Sequence, residues 1–177
     1  MTRVVIADDA LLIRQGLRMV LDTLADVELV AEAEDLPSLL AAVDDHAPDV
    51  VITDIRMPPT NSDEGVQAAR QIRAEHPAVG VVVLSQHAEP GFILTLLENG
   101  TERLGYLLKE NIGDRAELQR AIDAVIAGGS AIDPAVVEVL VQSRTAPASP
   151  IEQLTPRERD VLSLIAEGLN NAGIAAS

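Results

Sequence analysis

Five polar side chains that suit phosphate and metal chemistry each follow a short apolar run of the sequence. Asp8 and Asp9 follow the first run, and Asp54 follows the third. Ser85 follows the fourth run, and Lys109 follows the fifth. Three carboxylates at one point repel each other, and Mg²⁺ relieves that repulsion because it prefers oxygen ligands. A carboxylate can also form an acyl phosphate, whose oxygens an ammonium and a hydroxyl stabilise. The set predicts a phosphoryl-accepting aspartate with its metal and two stabilising groups.

Each of these residues has a plainer interpretation when it is taken alone. An Asp-Asp pair after a strand is usually a turn or a helix cap, and a lysine there is usually solvated. Asp54 is more telling, because it ends an apolar strand just before Met57-Pro58-Pro59. Complementary polar groups at four strand ends favour the functional interpretation.

The elements that position these groups alternate along the first 127 residues. Short β-branched runs predict five strands, at 3–7, 27–33, 49–53, 79–84 and 104–108. Helical spacing of apolar residues predicts helices at 11–24, 36–43, 64–75, 90–98 and 115–127. Such βαβ repeats indicate a doubly wound, five-stranded parallel α/β sheet whose ligand crevice lies beyond the carboxyl ends of the strands.

Composition excludes several classes of function. The formal net charge of −15 disfavours broad binding to nucleic acid or anionic membranes. The chain has no cysteine, which removes disulfides, Cys-ligated metals and thiol catalysis. Phe92 and Tyr106 are its only aromatic residues, too few for base stacking. Neither a signal peptide nor a membrane span is evident, so we expect a soluble, cytoplasmic protein without a membrane partner.

Four motifs resemble the receiver domain of bacterial two-component response regulators of the LuxR/FixJ type. They are Val-Val-Ile-Ala-Asp-Asp, Val-Val-Ile-Thr-Asp-Ile-Arg-Met-Pro, Val-Val-Val-Leu-Ser and Gly-Tyr-Leu-Leu-Lys, and the resemblance covers Thr2 to about Gly128. It implies a flavodoxin-like fold with strand order 2-1-3-4-5. It also implies that Asp54 accepts phosphate from a sensor histidine kinase, and that the phosphorylated form is a homodimer.

The resemblance also implies a role for each site residue. Asp9 and Asp54 would ligate Mg²⁺ directly, Asp8 would act mainly through water, and the backbone carbonyl of Arg56 would complete the protein ligands. Ser85 and Lys109 would contact the phosphoryl oxygens. Ser85 and Tyr106 would form the switch, although Tyr106 on its own reads as a half-buried tyrosine of an edge strand.

Three features depart from the usual receiver pattern. Gly65 lies farther from Asp54 than usual, so the 59–64 loop is enlarged by about three residues. Gln86 and His87 stand where a small residue is common after Ser85, and Glu110 replaces the usual proline after Lys109. None of these changes removes a catalytic group.

The C-terminal sequence Leu-Thr-Pro-Arg-Glu-Arg-Asp-Val-Leu-Ser-Leu-Ile-Ala-Glu-Gly resembles the opening of a LuxR-type helix-turn-helix domain. Thr155 and Glu158 form a capping box around Pro156. The sequence ends before the recognition helix of that all-α family, so we expect DNA binding only from a full-length form. We therefore expect domains at 1–128 (receiver), 129–153 (a linker helix, then a Pro/Ser-rich linker that begins near Gln142) and 154–177 (the incomplete helix-turn-helix).

Two other classes of function remain open from the sequence. A haloacid-dehalogenase-like phosphatase also uses Asp, Ser, Lys and Mg²⁺, but it needs a second acid where this chain has Arg56. A phosphate-independent interaction module would share the fold without using the acid cluster. A phosphoryl-accepting switch, at most self-dephosphorylating and otherwise no enzyme, accounts for more of the residues.

Overall fold

The computed structural model describes residues 1–145, with the side chains of residues 143–145 excepted. Met1–Leu140 forms one compact unit. The expected helix-turn-helix residues and residues 146–153 of the expected linker region lie outside the described residues, so the domain boundaries stay predictions. Among the described residues, no helix has the length and apolar character needed to cross a membrane.

Strands and helices alternate as the sequence predicts. The strands are β1 (Thr2–Ala7), β2 (Val27–Ala33), β3 (Val50–Asp54), β4 (Gly80–Ser85), β5 (Leu104–Leu108) and β6 (Ser130–Ile132). The helices are α1 (Leu11–Leu21), α2 (Leu36–His46), α3 (Glu64–Glu75), α4 (Pro90–Leu97), α5 (Arg115–Ile126) and α6 (Pro134–Thr145). All strand pairs are parallel, in the order β2-β1-β3-β4-β5-β6.

The sheet therefore has six strands, and the predicted number of five is wrong. The additional strand, β6, pairs with β5 from Leu104↔Ser130 to Tyr106↔Ile132. It has only three residues, Ser-Ala-Ile, directly after Gly128-Gly129. A run that short carries no periodic signal, so the sequence pattern did not reveal it.

Three helix ends also differ from the prediction. Helix α1 ends at Leu21 rather than at residue 24. Helix α2 continues past the last apolar position to His46 and ends where Ala47 adopts a left-handed conformation with φ 43°. Helix α6 extends to Thr145, into the segment from Gln142 that was expected to be linker. In α2 and α6 the helix continues on polar residues that apolar spacing does not register.

Alternation along the strands divides the apolar residues between two cores. One core packs alternate residues such as Val5, Val51 and Val83 against α2, α3 and α4. The other packs Val4, Ile52 and neighbouring positions against α1 and α5. Burial on both faces explains the continuous apolar runs and makes the carboxyl ends of the strands the open rim of the sheet.

Candidate phosphoryl-acceptor site

The three predicted carboxylates meet at the carboxyl ends of β1 and β3. Ala7 pairs with Thr53 in the parallel register, so the next residues, Asp8 and Asp54, lie side by side. One oxygen from each of Asp8, Asp9 and Asp54 lies within 4.8 Å of the others. Asp8 and Asp54 are buried, whereas Asp9 is exposed. The cluster is thus open to solvent on the Asp9 side only.

Lys109 supplies the positive charge of the cluster. Its Nζ lies 2.7 Å from Asp8 Oδ2 and 3.0 Å from Asp54 Oδ2. Burial alone would lower the pKa of the ammonium, but the hydrogen bond to Asp8 and the charge of Asp54 outweigh it and raise the pKa. Lys109 therefore stays protonated and bridges the two buried carboxylates.

Asp54 itself is held in a defined orientation. Its Oδ1 accepts a hydrogen bond from the Ile55 backbone N–H at 2.8 Å, which leaves Oδ2 towards Lys109. Burial raises the pKa of Asp54, although Lys109 opposes the shift. A desolvated carboxylate oxygen facing an ammonium is suited to accept a transferred group.

The backbone of Asp8 and Asp9 is positioned by a residue that the sequence did not reveal. The Arg14 guanidinium donates hydrogen bonds to the backbone carbonyls of Asp8, at 2.6 Å, and Asp9, at 3.2 Å. Asp8 Oδ1 also accepts the Ala10 N–H at 2.9 Å. A half-buried arginine on α1 reads from sequence as a solvated residue, so no signal marked its role.

Ser85 lies on the same rim at the end of β4. Because Leu84 pairs with Asp54 and Ser85 with Leu108, the hydroxyl stands between the acceptor strand and Lys109. Ser85 Oγ donates a hydrogen bond of 2.6 Å to the His87 carbonyl. Ser85 can contact a group on Asp54 only if this bond breaks.

Tyr106 lies deeper than a half-buried residue of an edge strand would. It is 1% exposed, and β6 covers β5, so β5 is not an edge strand. Among the described residues, its hydroxyl makes no hydrogen bond of normal length and angle, although Ser85 and the backbone of Glu89 lie close enough to oppose the effect of burial on its pKa. Burial raises the pKa of this hydroxyl. A buried hydroxyl without a partner is costly, so a rearrangement that supplied one would be favoured.

Arg56 lies two residues beyond β3, next to the acid cluster. Its guanidinium forms a two-bond ion pair with Glu89, at 2.9 and 2.8 Å, and lies 5.4 Å from the centroid of the Phe92 ring. These contacts connect the loop after β3 to the start of α4. The role of its backbone carbonyl as a metal ligand stays a prediction.

The enlarged loop is built around Glu64, which sequence reasoning missed. Glu64 is buried, and its carboxylate accepts N–H bonds from Thr60 and Ser62, both at 2.9 Å. Burial alone would raise its pKa, but these bonds and that of the Thr60 hydroxyl lower the pKa to about 2. Thr-x-Ser-x-Glu before a helix was the available signal, but a glutamate in a first helical turn is usually solvated.

Gly65 explains where the additional loop residues are accommodated. A Cβ at Gly65 would lie 1.7 Å from the Asp54 carbonyl oxygen, so only glycine fits. Gly65 N–H also donates to the Ile55 carbonyl at 2.8 Å. The start of α3 is thus packed against the end of β3, and the additional residues of the 59–64 loop lie before this contact.

The cluster suits a hard divalent cation. It brings together three carboxylates, of which Asp9 is exposed to solvent, and only one ammonium group, that of Lys109. Mg²⁺ prefers oxygen ligands and usually keeps several waters, which the exposed side would admit.

Comparisons with protein-family models match the two parts of the chain separately. The response regulator receiver domain matches residues 4–123. The family of bacterial regulatory proteins, luxR family, matches residues 152–177.

Curated relatives cover nearly the whole chain. The transcriptional regulatory protein NarL of Mycobacterium tuberculosis is 34% identical over 98% of this chain and 78% of its own length. DegU of Brevibacillus brevis is 33% identical over 96% of this chain and 76% of its own length. The oxygen regulatory protein NreC of Staphylococcus carnosus is 34% identical over 98% of this chain and 81% of its own length.

Solved structures of response regulators are similar to this chain as well. RcsB of Salmonella typhimurium superposes with a TM-score of 0.73 at 27% identity, over 99% of this chain and 83% of that one. An RcsB–DNA complex gives a TM-score of 0.73 at 28% identity, over 99% and 81%. The receiver domain of NarL from Mycobacterium tuberculosis gives 0.62 at 34% identity, over 72% and 97%.

Proposed function

The chain belongs to the response regulators of two-component systems, with a receiver domain and a LuxR-type DNA-binding region, and from that premise we propose that Asp54 accepts the activating phosphoryl group. The donor is the phosphohistidine of a sensor kinase. The observation that carries this proposal is the bridge from Lys109 to Asp54 Oδ2 beside Asp8 and Asp9.

The reaction is a phosphoryl transfer without a proton acceptor on this chain. Asp54 Oδ2 is the attacking oxygen, because Oδ1 is engaged with the Ile55 N–H. A P–O bond to Asp54 forms as the P–N bond to the kinase imidazole breaks, and the electron pair returns to that imidazole. Lys109 keeps its charge throughout and exchanges carboxylate oxygens for phosphoryl oxygens.

Asp8, Asp9, Asp54 and the Arg56 carbonyl would hold Mg²⁺. The bound ion would neutralise charge on the phosphoryl oxygens and on the carboxylates. Asp8 is fully buried and accepts bonds from Lys109 and from the Ala10 N–H, which supports a role mainly through water.

Phosphorylation would be transmitted through Ser85 and Tyr106. Ser85 leaves the His87 carbonyl to bond the phosphoryl oxygen, which frees the loop that leads to Glu89 and α4. Tyr106 then gains a partner that its hydroxyl now lacks. The altered α4–β5 surface would favour a homodimer, and a full-length form would carry this change to DNA.

The ion pair of Arg56 disfavours a phosphatase. In that class the second residue after the nucleophile is an acid that protonates the leaving group. Here it is an arginine paired with Glu89, and arginine does not donate protons usefully.

The test is treatment of the 177-residue chain with acetyl phosphate and Mg²⁺, followed by intact-mass measurement. We expect one added phosphoryl group, which Asp54→Asn abolishes and the matched loop variant Asp63→Asn retains. Unmodified protein, or equal modification of Asp54→Asn, would contradict the proposal and favour the phosphate-independent module.

A further inference from the structure

A cavity lined by three arginines lies at the opposite end of the sheet from the acid cluster. It measures about 420 Å³ and lies between the end of α3 and the loops that precede β4 and β5. Arg70 and Arg73 line it from α3, and Arg103 lines it from the residue before β5. Because these loops enter the amino ends of the strands, the cavity is separate from the phosphoryl-acceptor site.

The three guanidinium groups belong to the half of the cationic side chains in residues 1–142 that form no ion pair. Arg14, Arg18, Arg56, Lys109 and Arg120 each form an ion pair with a carboxylate. Within residues 1–142, Arg70, Arg73 and Arg103 form none, although the chain has 28 acidic residues. Arg3 and Arg115 also form no ion pair in this part of the chain, so Arg70, Arg73 and Arg103 are distinguished by lining one cavity together.

Two of the three arginines are fixed in position by neutral groups. Arg73 donates to the carbonyls of Leu96, at 3.0 Å, and Gly100, at 2.9 Å. Arg103 donates to the Ile126 carbonyl at 2.9 Å, from a backbone with φ +56°. Carbonyls orient these guanidiniums without cancelling their charge.

Arg70 completes the cavity from the solvent side. Its side chain is exposed and makes no ion pair or hydrogen bond with the described residues. The one carboxylate that lines the cavity is Glu102, an exposed residue whose Oε2 lies against Gly100. Three guanidinium groups against one carboxylate leave the cavity positive.

We propose that this cavity binds an anion that bears a pyrophosphate group, such as a nucleoside di- or triphosphate. A guanidinium fork matches phosphate oxygens in geometry and charge, and the fork of Arg70 makes no hydrogen bond with the described residues. Arg73 and Arg103, held by backbone carbonyls, add fixed positive charge beside it. The volume lies in the range of small-molecule sites, which is about 300–1,000 Å³. Arg70 closes over the anion, and the site works independently of Asp54.

Pyrophosphate is the probe for the test. Calorimetric titration of the full chain without Mg²⁺, at low ionic strength, should show saturable binding to one site. Arg70→Gln should weaken binding about tenfold or more, because a charge-assisted bond is lost. The matched variant Arg115→Gln, another exposed arginine without an ion pair, should change affinity by less than about twofold.

Amide-shift mapping on the same samples locates the site. We expect changes at Ala74, Asn99 and Glu102, and the same changes in Asp54→Asn, which separates this site from phosphorylation. No saturable binding, equal weakening by Arg70→Gln and Arg115→Gln, or shifts confined to the acid cluster would overturn the proposal.

Discussion

Asp54 is ionised at a position where burial opposes its charge. Its pKa is raised above the ordinary 3.8, chiefly by burial and despite Lys109. A raised folded-state pKa means that ionisation costs stability above that pKa, whereas at pH below 3.8 the group is neutral in both states and costs nothing. The charge that the proposed acceptor role of Asp54 requires is thus maintained at the expense of folding stability.

The pH dependence of Asp54→Asn measures this cost. Relative to Asp54→Asn, the wild type should lose stability as the pH rises above 3.8, until Asp54 is fully ionised, and then run parallel to the variant. Urea unfolding of both proteins across this range checks the prediction, since carboxylates that do not interact with Asp54 cancel in the difference. A difference that does not change with pH would contradict it.

Sequence reasoning succeeded at the residue scale where a strand end decided the position. Asp54, Ser85 and Lys109 lie together because parallel β-branched runs end at one rim of the sheet. It did not reveal Arg14, because a carbonyl-binding arginine has no sequence signature. It also underestimated the burial of Tyr106, which depends on a strand that was not predicted.

Helix α3 is packed against β3 at a point that admits no side chain. Gly65→Ala would place a Cβ 1.7 Å from the Asp54 carbonyl oxygen. We expect a loss of about 3 kcal/mol or more in the free energy of unfolding, because backbone must move. Gly16→Ala in α1 is the matched control: it has open space and should stabilise the protein by about 0.5–1 kcal/mol. Chemical denaturation of the two variants distinguishes them.

The loop before α3 depends on an ionised Glu64. Glu64→Gln replaces an acceptor by an amide donor beside the N–H groups of Thr60 and Ser62, at a cost of about 1–3 kcal/mol. Because the folded pKa is about 2 and the ordinary one 4.5, the contribution of Glu64 is complete above pH 4.5 and is lost as the pH falls through about 2. The exposed Glu75→Gln serves as the control. Unfolding at neutral and acidic pH should show the deficit of Glu64→Gln shrinking in acid, and a constant deficit would argue against it.

At the element scale, the sequence predicted what apolar periodicity encodes. Five strands and five helices follow from repeating patterns of buried residues. Strand β6 has too few residues to carry such a pattern, and the ends of α2 and α6 consist of polar residues. The contacts that shape the 59–64 loop are side chain to backbone, and these follow only from three-dimensional proximity.

The charge of the whole molecule makes its stability depend on ions in two separable ways. With a net charge of −15, the negative side chains repel one another in the folded protein. NaCl should raise the melting temperature, because it screens this repulsion. MgCl₂ at equal ionic strength should raise it further if, as proposed, Asp8, Asp9 and Asp54 bind the ion in the folded state. Thermal melts of Asp9→Asn should keep the NaCl effect and lose the additional MgCl₂ effect. Identical responses to both salts in the wild type would contradict specific binding.

The short strand β6 also determines where the chain can safely be cut. A fragment that stops at Gly128 would lack the strand that pairs with Leu104–Tyr106, leaving unpaired N–H and C=O groups on the first part of the buried strand β5. Such an exposed edge strand is a template for pairing with a strand of another molecule. Anyone preparing the receiver alone should therefore retain the residues through Leu140, since a shorter fragment invites self-association and precipitation.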